Sequence, residues 1–421
     1  MTWLVIGAGP SGLAAVKAFR QAGLPVEAVD RQPDIGGQWL YGGEASAVYA
    51  STHLISSKGP TAYEDFPMPA DWPAYPHHAQ ALQYLRDYAA HFGLMPAIRC
   101  GVGVRRLTRA GAGWQAEFDD GRVCGYRGVV IANGHLTDPE MPRIPGQFDG
   151  RVMHAKAYRT PDLFTAKRVL IVGMGNTGCD IVVDAVHHAR AVLWSVRGGN
   201  HFVPKFLGGR PADEGGRRGL ANRLPRRWRG RIHGAVLGFV VGRPEQFGLP
   251  KPAHGLYDRT PIVNSLVLQH LGQGDVAVRG PIREFQGQEV VFADGRRDQV
   301  DLVLFATGYR ATFPFIAPGP LNEVGGVPHL HLNIFPPEDN GLFVAGLIEG
   351  AGIGWGGRAL QAELIAAYLK AGPEAVARFR RAVAETCGRP RAAERGESGF
   401  FVDYAAYRRD LVAATGALQA Q

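Results

Sequence analysis

Two glycine-rich turns carry the strongest chemical signal in this 421-residue chain. Each has the spacing Gly-x-Gly-x-x-Gly, follows a short apolar segment typical of a strand, and precedes an apolar-patterned helix. The start of such a helix presents N–H groups and a positive dipole end to a pyrophosphate, so the pattern predicts two dinucleotide sites. The residues that we expect to line these sites are Gly7, Gly9, Pro10, Ser11 and Gly12 in the first turn, and Gly173, Gly175, Asn176, Thr177 and Gly178 in the second.

Each glycine of the second turn has a predicted mechanical role. Gly173 lets the chain turn sharply, Gly175 leaves room for the phosphates, and Gly178 lets the helix pack closely on the strand. The two turns are also the internal repeat of the chain, because the same strand, turn and helix recur.

The residues at the end of the strand after each turn indicate which nucleotide binds. After the first turn the strand ends in Asp30 and Arg31, and a carboxylate there binds ribose hydroxyls. After the second turn Ser195 and Arg197 stand where an NAD site normally has a carboxylate, and an arginine at that place receives a 2′-phosphate. We therefore expect NADPH rather than NADH at the second site. An ordinary strand-end acid and an ordinary exposed arginine are the alternative interpretations.

A third glycine segment, GGQW at residues 36–39, follows the first strand pair. Paired glycines allow the backbone to approach a flat ligand, and a tryptophan can cover it. We therefore add Gly37, Gln38 and Trp39 to the first nucleotide site. A simple turn with a buried indole is the alternative.

Composition and cysteine usage limit the class of protein. The chain has 46% hydrophobic residues, which is enough for a large core in two or three domains. Its four cysteines have neither CxxC nor metal-site spacing, so we expect no disulfide framework, no metal and a cytoplasmic location. The first residues enter a strand directly, so we expect no signal peptide, and no 18-residue apolar run is present.

The net charge of +8 is compatible with nucleic acid or with anionic cofactors. One basic cluster stands out, with only Trp228 between the arginines. We interpret it as a solvated surface insertion, with a lid, a membrane-surface contact or nucleic-acid binding as alternatives. The cluster consists of Arg217, Arg218, Arg223, Arg226, Arg227, Arg229 and Arg231.

Two dinucleotide sites in one chain suggest hydride transfer from a nicotinamide on one to a flavin on the other. A disulfide reductase would pass the electrons to a cysteine pair, and the cysteines here are too scattered in sequence to form one. The remaining acceptors are a quinone, a protein partner or oxygen, and composition does not choose among them.

The segment at residues 148–158, FDGRVMHAKAY, resembles the FxGxxxHxxx(Y/F) fingerprint of flavin-containing monooxygenases. Its fixed positions are Phe148, Gly150, His154 and Tyr158. The related Baeyer–Villiger enzymes usually have tryptophan at the last place, so Tyr158 favours the branch that oxidises amines and sulfur. The resemblance extends over roughly residues 1–370 and includes GAGPSG, GGQW, DFPMP, GMGNTGCD and ATGY, the last with Thr307, Gly308 and Tyr309.

The resemblance implies a fold and a domain order. We expect an α/β protein with two Rossmann-like domains in a glutathione-reductase-like arrangement, the second inserted into the first. The FAD-binding domain would comprise residues 1–160 and 306–421, including a C-terminal helical cap. The NADPH-binding domain would comprise residues 161–305, with an arginine-rich insertion near 210–250.

The resemblance also implies a reaction. NADPH would reduce FAD, O2 would form a C4a-(hydro)peroxyflavin, and an amine nitrogen or sulfide sulfur would take one oxygen atom. His154 would have a structural role in linking the two domains, and a homodimer is the family expectation. Baeyer–Villiger oxygenation, decarboxylating oxygenation of a 2-oxo acid, and electron transfer without oxygen insertion remain alternatives.

One position departs from the family pattern. Where the family usually has an asparagine near the flavin–oxygen adduct, this chain has Ile55, followed by Ser56, Ser57 and Lys58. Isoleucine can exclude water but can neither donate nor accept a hydrogen bond. We expect these four residues to line the reactive side of the flavin. Either serine could replace the missing amide, or the class of substrate differs.

Overall fold

The computed structural model describes residues 1–215, 226–350, 352–388 and 399–420. The strands are β1 (Trp3–Ile6), β2 (Val26–Asp30), β3 (Ile98–Cys100), β4 (Val104–Ala110), β5 (Gly113–Phe118), β6 (Val123–Tyr126), β7 (Gly128–Ile131), β8 (Asp138–Pro139), β9 (Gly146–Phe148), β10 (Arg151–His154), β11 (Arg168–Val172), β12 (Ala191–Ser195), β13 (Phe206–Leu207), β14 (Arg210–Pro211), β15 (Val276–Arg279), β16 (Ile282–Gly287), β17 (Glu289–Phe292), β18 (Arg297–Gln299), β19 (Leu302–Phe305), β20 (Tyr309–Arg310), β21 (Glu323–Val324), β22 (Val327–Pro328) and β23 (Leu342–Val344). The α-helices are α1 (Pro10–Gln21), α2 (Lys58–Thr61), α3 (His78–His91), α4 (Asn176–Val186), α5 (Ala212–Gly215), α6 (Arg226–Val240), α7 (Leu266–Gln273), α8 (Gly356–Lys370), α9 (Pro373–Cys387) and α10 (Tyr404–Gln419).

The chain divides into two compact units, and the first consists of residues 1–46, 58–137 and 311–421. Its main sheet is parallel, with the order β23-β7-β1-β2-β3. The strands β1, β7 and β23 are buried along their whole length, as expected when helices cover both faces of a parallel sheet. Helix α1 packs against α8, and an antiparallel sheet of β4, β5 and β6 completes the unit.

The second unit consists of residues 47–57 and 138–310. Its parallel sheet has the order β10-β19-β11-β12-β15, and β11 and β19 supply much of the core. Helix α4 packs on β11 and β12. A smaller sheet, with the order β18-β17-β16-β9, lies in the same unit.

The two parallel sheets share one topology. In each, a central strand leads into a glycine turn and a helix, the next strand lies on one side, and a later strand lies on the other. This is the pattern of a dinucleotide-binding sheet. The predicted fold class is confirmed: two Rossmann-type α/β units, with the second inserted into the chain of the first.

The unit boundaries differ from those expected from the sequence. The division lies at 137/138 and 310/311 rather than at 160/161 and 305/306, and residues 47–57 belong to the second unit. The physical reason is strand pairing, because β10 pairs with β19 and β9 pairs with β16. Residues 138–160 thereby belong to the second unit rather than to the first.

The arginine-rich cluster lies partly outside the described residues, since Arg217, Arg218 and Arg223 fall in the gap at 216–225. Among the described residues, no helix is both long and apolar enough to cross a membrane. In the same ranges, no group of three or more histidine, cysteine or acidic side chains has the geometry of a metal site.

Candidate functional site

The first glycine turn is held so tightly that two of its glycines have no room for a side chain. Gly7 has φ of +106°, and a Cβ there would lie 2.5 Å from the carbonyl oxygen of Ala132. A Cβ on Gly12 would lie 1.8 Å from the carbonyl oxygen of Gly7. Both contacts are with backbone, which cannot move aside as a side chain can. The sharp turn and the close approach of α1 therefore require glycine at these two positions.

The second turn repeats this construction. Gly173 has φ of +116°, and its Cβ would lie 2.4 Å from the carbonyl oxygen of Ala306. A Cβ on Gly178 would lie 2.3 Å from the carbonyl oxygen of Gly173. The predicted mechanical roles of Gly173 and Gly178 agree with this geometry.

The middle glycine of each turn is different, because protein packing does not demand it. A Cβ on Gly175 would meet no described atom within 4 Å, and one on Gly9 would make an ordinary 3.5 Å contact with the Cα of Gly37. Since neither residue has a positive φ, an alanine could adopt either backbone conformation. The room left at both glycines fits the close approach of a pyrophosphate.

The helix starts beside these glycines also fit an anionic ligand. Helix α1 begins after Gly9 with Pro10, followed by the buried Ser11, and α4 begins after Gly175. Within the described residues, neither start has a side-chain cap or an acidic residue in its first turn. The N-terminal dipole of each helix therefore faces the cradle without a competing carboxylate. Both cradles fit the pyrophosphate of a dinucleotide.

Asp30 lies at the end of β2, beside the first turn. Its carboxylate accepts hydrogen bonds from the backbone N–H groups of Ala8 at 2.7 Å and Gln32 at 2.9 Å. The side chain is buried, and this burial raises the pKa of Asp30, partly offset by the two N–H donors. Arg31 is half-exposed, 3.7 Å from Glu44. Asp30 thus braces the turn and places a carboxylate beside it.

The GGQW segment packs on the first turn. Gly36 donates its N–H to the carbonyl of Ala8 at 3.0 Å, and a Cβ on Gly37 would lie 3.1 Å from the Cα of Gly9. Gly37, Gln38 and Trp39 form a short 3-10 turn, and the indole of Trp39 meets Trp355 edge to face at 6.0 Å. The backbone of this segment therefore lies against the predicted phosphate cradle.

At the second turn, the two strand-end residues have different environments. Ser195 is 3% exposed, and its hydroxyl donates to the carbonyl of Gly280 at 2.9 Å. Arg197 lies two residues beyond β12 and is exposed. The arginine is therefore available to a 2′-phosphate, whereas the proton of the Ser195 hydroxyl is already donated to the protein.

Asn176 has a structural task that its sequence position did not indicate. Its side chain donates to the carbonyl of Pro261 at 3.2 Å and accepts from the N–H of Val263 at 2.7 Å. It ties the start of α4 to the segment before α7. Thr177, the next residue, is half-buried on the same first turn of the helix.

The fingerprint residues all lie in the second unit and serve packing. A Cβ on Gly150 would lie 2.6 Å from the ring of Phe148, which itself packs on Phe285 at 5.1 Å. Nδ1 of His154 accepts from the N–H of Lys156 at 3.0 Å, and burial lowers the pKa of His154. A neutral imidazole that caps a turn agrees with a structural role.

The last fingerprint residue, Tyr158, is 1% exposed. Its hydroxyl donates to Asp184 on α4 at 2.8 Å, and its ring stacks on Phe164 at 5.2 Å. Tyr158 thereby attaches the fingerprint to the helix that follows the second glycine turn.

The ATGY segment, residues 306–309, begins with Ala306, whose carbonyl lies against Gly173 of the second turn. The Thr307 hydroxyl donates to the carbonyl of Glu140 at 2.5 Å, and the carbonyl of Gly308, whose φ is +89°, accepts from the N–H of the same glutamate. Tyr309 packs edge to face on His154 at 5.1 Å, and burial raises the pKa of Tyr309 to about 12. The segment joins the fingerprint to the strand β19.

Sequence reasoning did not single out a pair of acids one helical turn apart on α4. Asp180 accepts hydrogen bonds from Tyr49 at 2.8 Å and Asn264 at 2.6 Å, and burial raises the pKa of its carboxyl. Asp184 accepts from Ser51 at 2.6 Å. These bonds fasten residues 47–57 to the second unit. The i, i+4 spacing of the two acids is the signal that could have found them.

The predicted flavin-side residues have separate environments. Ile55 is 39% exposed, and Ser56 is half-buried. Ser57 is fully buried, its N–H donates to Asp213 at 2.7 Å and its hydroxyl donates to Glu214 at 3.2 Å. The Ser57 hydroxyl is therefore engaged within the second unit.

Lys58, in the first unit, has its ammonium on three backbone carbonyls. The acceptors are Pro69 at 2.9 Å, Ala70 at 2.7 Å and Trp72 at 2.6 Å. An ammonium that donates all three of its hydrogen bonds to the protein is a loop anchor. We interpret Lys58 as holding the proline-rich loop rather than moving a proton.

Replacing Lys58 with methionine should lower the free energy of unfolding by about 1 to 3 kcal/mol, because three carbonyls lose a charged donor. Lys167 offers a matched control, since its ammonium donates to one carbonyl, Leu163 at 2.7 Å. Denaturant unfolding of Lys58→Met and Lys167→Met should show the larger loss in the first. Unchanged stability combined with abolished NADPH oxidation in Lys58→Met would contradict the anchoring role.

Comparison with known proteins agrees with this architecture. The sequence matches the family described as FMO-like, flavin-binding monooxygenase-like, over residues 2–398. Flavin-containing monooxygenase 5 of Rattus norvegicus is 33% identical over 372 residues, covering 83% of this chain and 69% of the rat protein. Indole-3-pyruvate monooxygenase YUCCA1 of Oryza sativa is 31% identical over 325 residues, covering 74% and 79%.

Solved structures show the same fold. The S-allyl-L-cysteine S-oxygenase of Allium sativum has a TM-score of 0.69 at 21% identity, covering 99% of this chain and 88% of its own. The NADP+-bound cyclohexanone monooxygenase of Rhodococcus sp. Phi1 has a TM-score of 0.71 at 20% identity, covering 99% and 97%.

The two Rossmann-type units, each with a glycine turn before a helix, define a protein of the two-dinucleotide class. The chain belongs to the flavin-binding monooxygenase-like family. It is an oxidoreductase that uses FAD, NADPH and O2.

Proposed function

We propose that the first unit binds FAD, that the second binds NADPH, and that the enzyme oxygenates a small amine nitrogen or sulfide sulfur. The observation that carries the nucleotide assignment is the contrast between the two strand ends. A carboxylate, Asp30, lies beside the first turn, and an exposed arginine, Arg197, follows the strand after the second. A carboxylate suits ribose hydroxyls, and an arginine suits a 2′-phosphate.

The proposed FAD contacts combine the first turn, the strand end and the GGQW segment. Backbone N–H groups at the start of α1 would receive the pyrophosphate. These contacts are Gly7, Gly9, Pro10, Ser11, Gly12, Asp30, Arg31, Gly37, Gln38 and Trp39. The proposed NADPH contacts are Gly173, Gly175, Asn176, Thr177, Gly178, Ser195 and Arg197.

The flavin, when bound, supplies the redox chemistry and the reaction with oxygen. The residues of this chain bind, orient and exclude water. Gly9 and Gly175 leave the two cradles open, and the starts of α1 and α4 offset the phosphate charge. His154 and Tyr158 keep the second turn and β19 in place. We assign no proton transfer to either of them.

A substrate panel under labelled oxygen gas tests the proposal. The panel contains a tertiary amine, a sulfide, a ketone and a 2-oxo acid, and mass spectrometry follows the label into each product. We expect label in the N-oxide or the S-oxide. NADPH consumption that yields only hydrogen peroxide with every substrate would contradict oxygen insertion.

Ile55 favours a second candidate function. An amide at this position could hold an oxygen adduct by a hydrogen bond, and isoleucine cannot. The rice relative is named for a monooxygenase of indole-3-pyruvate, a 2-oxo acid, and it is 31% identical to this chain. Decarboxylating oxygenation of a 2-oxo acid is therefore the second candidate, with Baeyer–Villiger oxygenation of a ketone covered by the same panel.

Replacing Ile55 with asparagine should raise the amount of oxygenated amine formed per NADPH consumed. One restored hydrogen bond contributes about 1 kcal/mol, or about fivefold in the partition between product and peroxide. The control is Ile55→Leu, which changes shape without adding a polar group. Product yield and peroxide are measured together. An unchanged ratio in Ile55→Asn would place residue 55 away from the oxygen chemistry.

A cytoplasmic location, a homodimer and the absence of nucleic-acid binding stay predictions from the sequence.

A further inference from the structure

Helix α6 in the second unit has five large apolar side chains that are exposed. Phe239 is 92% exposed, Val240 52%, Trp228 51%, Val236 50% and Ile232 44%. Their spacing of three, four, seven and eight residues places them on one face of the helix. A helix that packs on a globular core buries its apolar face. In α6 the apolar face is exposed instead.

The opposite face of α6 carries three glycines. Gly230, Gly234 and Gly238 recur every four residues. A Cβ on Gly234 or Gly238 would meet no described atom within 4 Å, and one on Gly230 would approach Tyr257 at 3.6 Å. His233 hydrogen-bonds to the same tyrosine. Packing by the described residues therefore does not account for a glycine-rich helix with its large side chains outside, since interior glycine costs helix stability.

Charge indicates what covers the exposed face. Residues 226–243 contain no aspartate or glutamate. Arg231 lies on the exposed side, with its guanidinium 5.6 Å from the ring centre of Trp228. The arginines of this stretch are Arg226, Arg227, Arg229, Arg231 and Arg243. An exposed apolar face with aromatic residues, in a stretch that contains arginines and no acidic residue, has the composition of a helix that lies in an anionic membrane interface.

We propose that α6 docks this protein on an anionic lipid surface, with Trp228, Ile232, Val236 and Phe239 at the level of the headgroups. A second copy of the chain suits the face less well. A two-fold contact through α6 would place two arginine-rich helices without acidic partners against each other. The helix has 15 residues, so it can lie in the interface plane but is too short to span a bilayer.

The test uses the FAD-loaded full chain and vesicle flotation. One set of vesicles contains about 30% phosphatidylglycerol in phosphatidylcholine, and the other contains phosphatidylcholine alone. We expect the protein to float with the anionic vesicles and this binding to weaken at high salt.

The double variant Trp228→Ser, Phe239→Ser should lower partitioning to the vesicles by about tenfold, because two aromatic contacts are lost. The control replaces two half-exposed valines of the first unit, Val123→Ser and Val324→Ser, and should float like the parent.

A second readout is independent of folding defects in the double variant. Brominated lipids should quench the fluorescence of Trp228, and the single variant Trp228→Phe should lose this quenching while it still floats. Arg231→Gln should weaken flotation on anionic vesicles only.

Three outcomes would overturn the proposal. The first is the absence of flotation by the parent protein, and the second is equal flotation on both vesicle types. The third is a double variant that floats normally but changes from a dimer to a monomer in sedimentation, because the face would then belong to a second copy.

Discussion

Alanine at Gly12 should give a colourless protein. A Cβ on Gly12 would lie 1.8 Å from the backbone carbonyl oxygen of Gly7, so α1 and the turn must separate by more than an ångström. We expect the free energy of unfolding to fall by more than about 3 kcal/mol, since the clash is with backbone. Loss of the flavin absorbance after purification and a lower denaturation midpoint are the measurements.

Gly9→Ala is the matched variant, because its Cβ would make an ordinary 3.5 Å contact. Its stability without cofactor should stay close to that of the parent, while its affinity for FAD falls. If Gly9→Ala retained full FAD affinity, the middle glycine would not face a phosphate. If Gly12→Ala were yellow and stable, Gly12 would not lie as close to the carbonyl of Gly7 as we describe.

The second large effect is expected from Arg197→Ala. Loss of one phosphate contact, worth about 1.5 to 3 kcal/mol, should raise the KM for NADPH by about 10- to 100-fold. The KM for NADH should change little, because NADH has no 2′-phosphate. Steady-state oxidation of both nucleotides under one set of conditions gives the comparison.

Arg190→Ala provides the charge control for this experiment. Arg190 is exposed and lies just before β12, at the opposite end of the strand from Arg197. The same change in net charge at that end should leave both KM values near those of the parent. Equal increases for NADPH and NADH in Arg197→Ala would remove the basis for assigning NADPH to this turn.

The glycine turns were predictable because their information is local. A turn with a positive φ at Gly7 or Gly173, and a helix start that crowds the preceding carbonyl, depend on residues within one short segment. The acid at residue 30 and the arginine at residue 197 follow from the same local register, at the end of the next strand. Finding this unit twice predicted two dinucleotide sites, and the family resemblance implied the fold class.

The side-chain partners were not predictable, because they come from distant parts of the chain. Ser195 donates to Gly280, and Asn176 bonds to Pro261 and Val263. The sequence pattern placed Ser195 and Asn176 near a glycine turn. It did not show that their side chains hydrogen-bond to distant backbone groups. Lys58 is a similar case, since nothing in its own segment indicates the three carbonyls that it binds.

The spacing of apolar residues also did not predict which face of α6 is exposed. Helical spacing of apolar residues identifies a face, but the usual assumption that this face is buried fails here. Phe239 is 92% exposed and Trp228 is 51% exposed. Only the surroundings of the helix distinguish an inward from an outward apolar stripe.

The discontinuous course of the chain has a consequence for biosynthesis. The second unit ends at residue 310, so all of its strands leave the ribosome before β23, α8 and α10 of the first unit are made. Because domains fold as they are completed, we expect the second unit to fold first. The first unit would stay incomplete, with its sheet unfinished and α1 lacking its partner α8, until β23 and α8 have been made. The nucleotide of the first unit would therefore be bound only after β23 and α8 have left the ribosome.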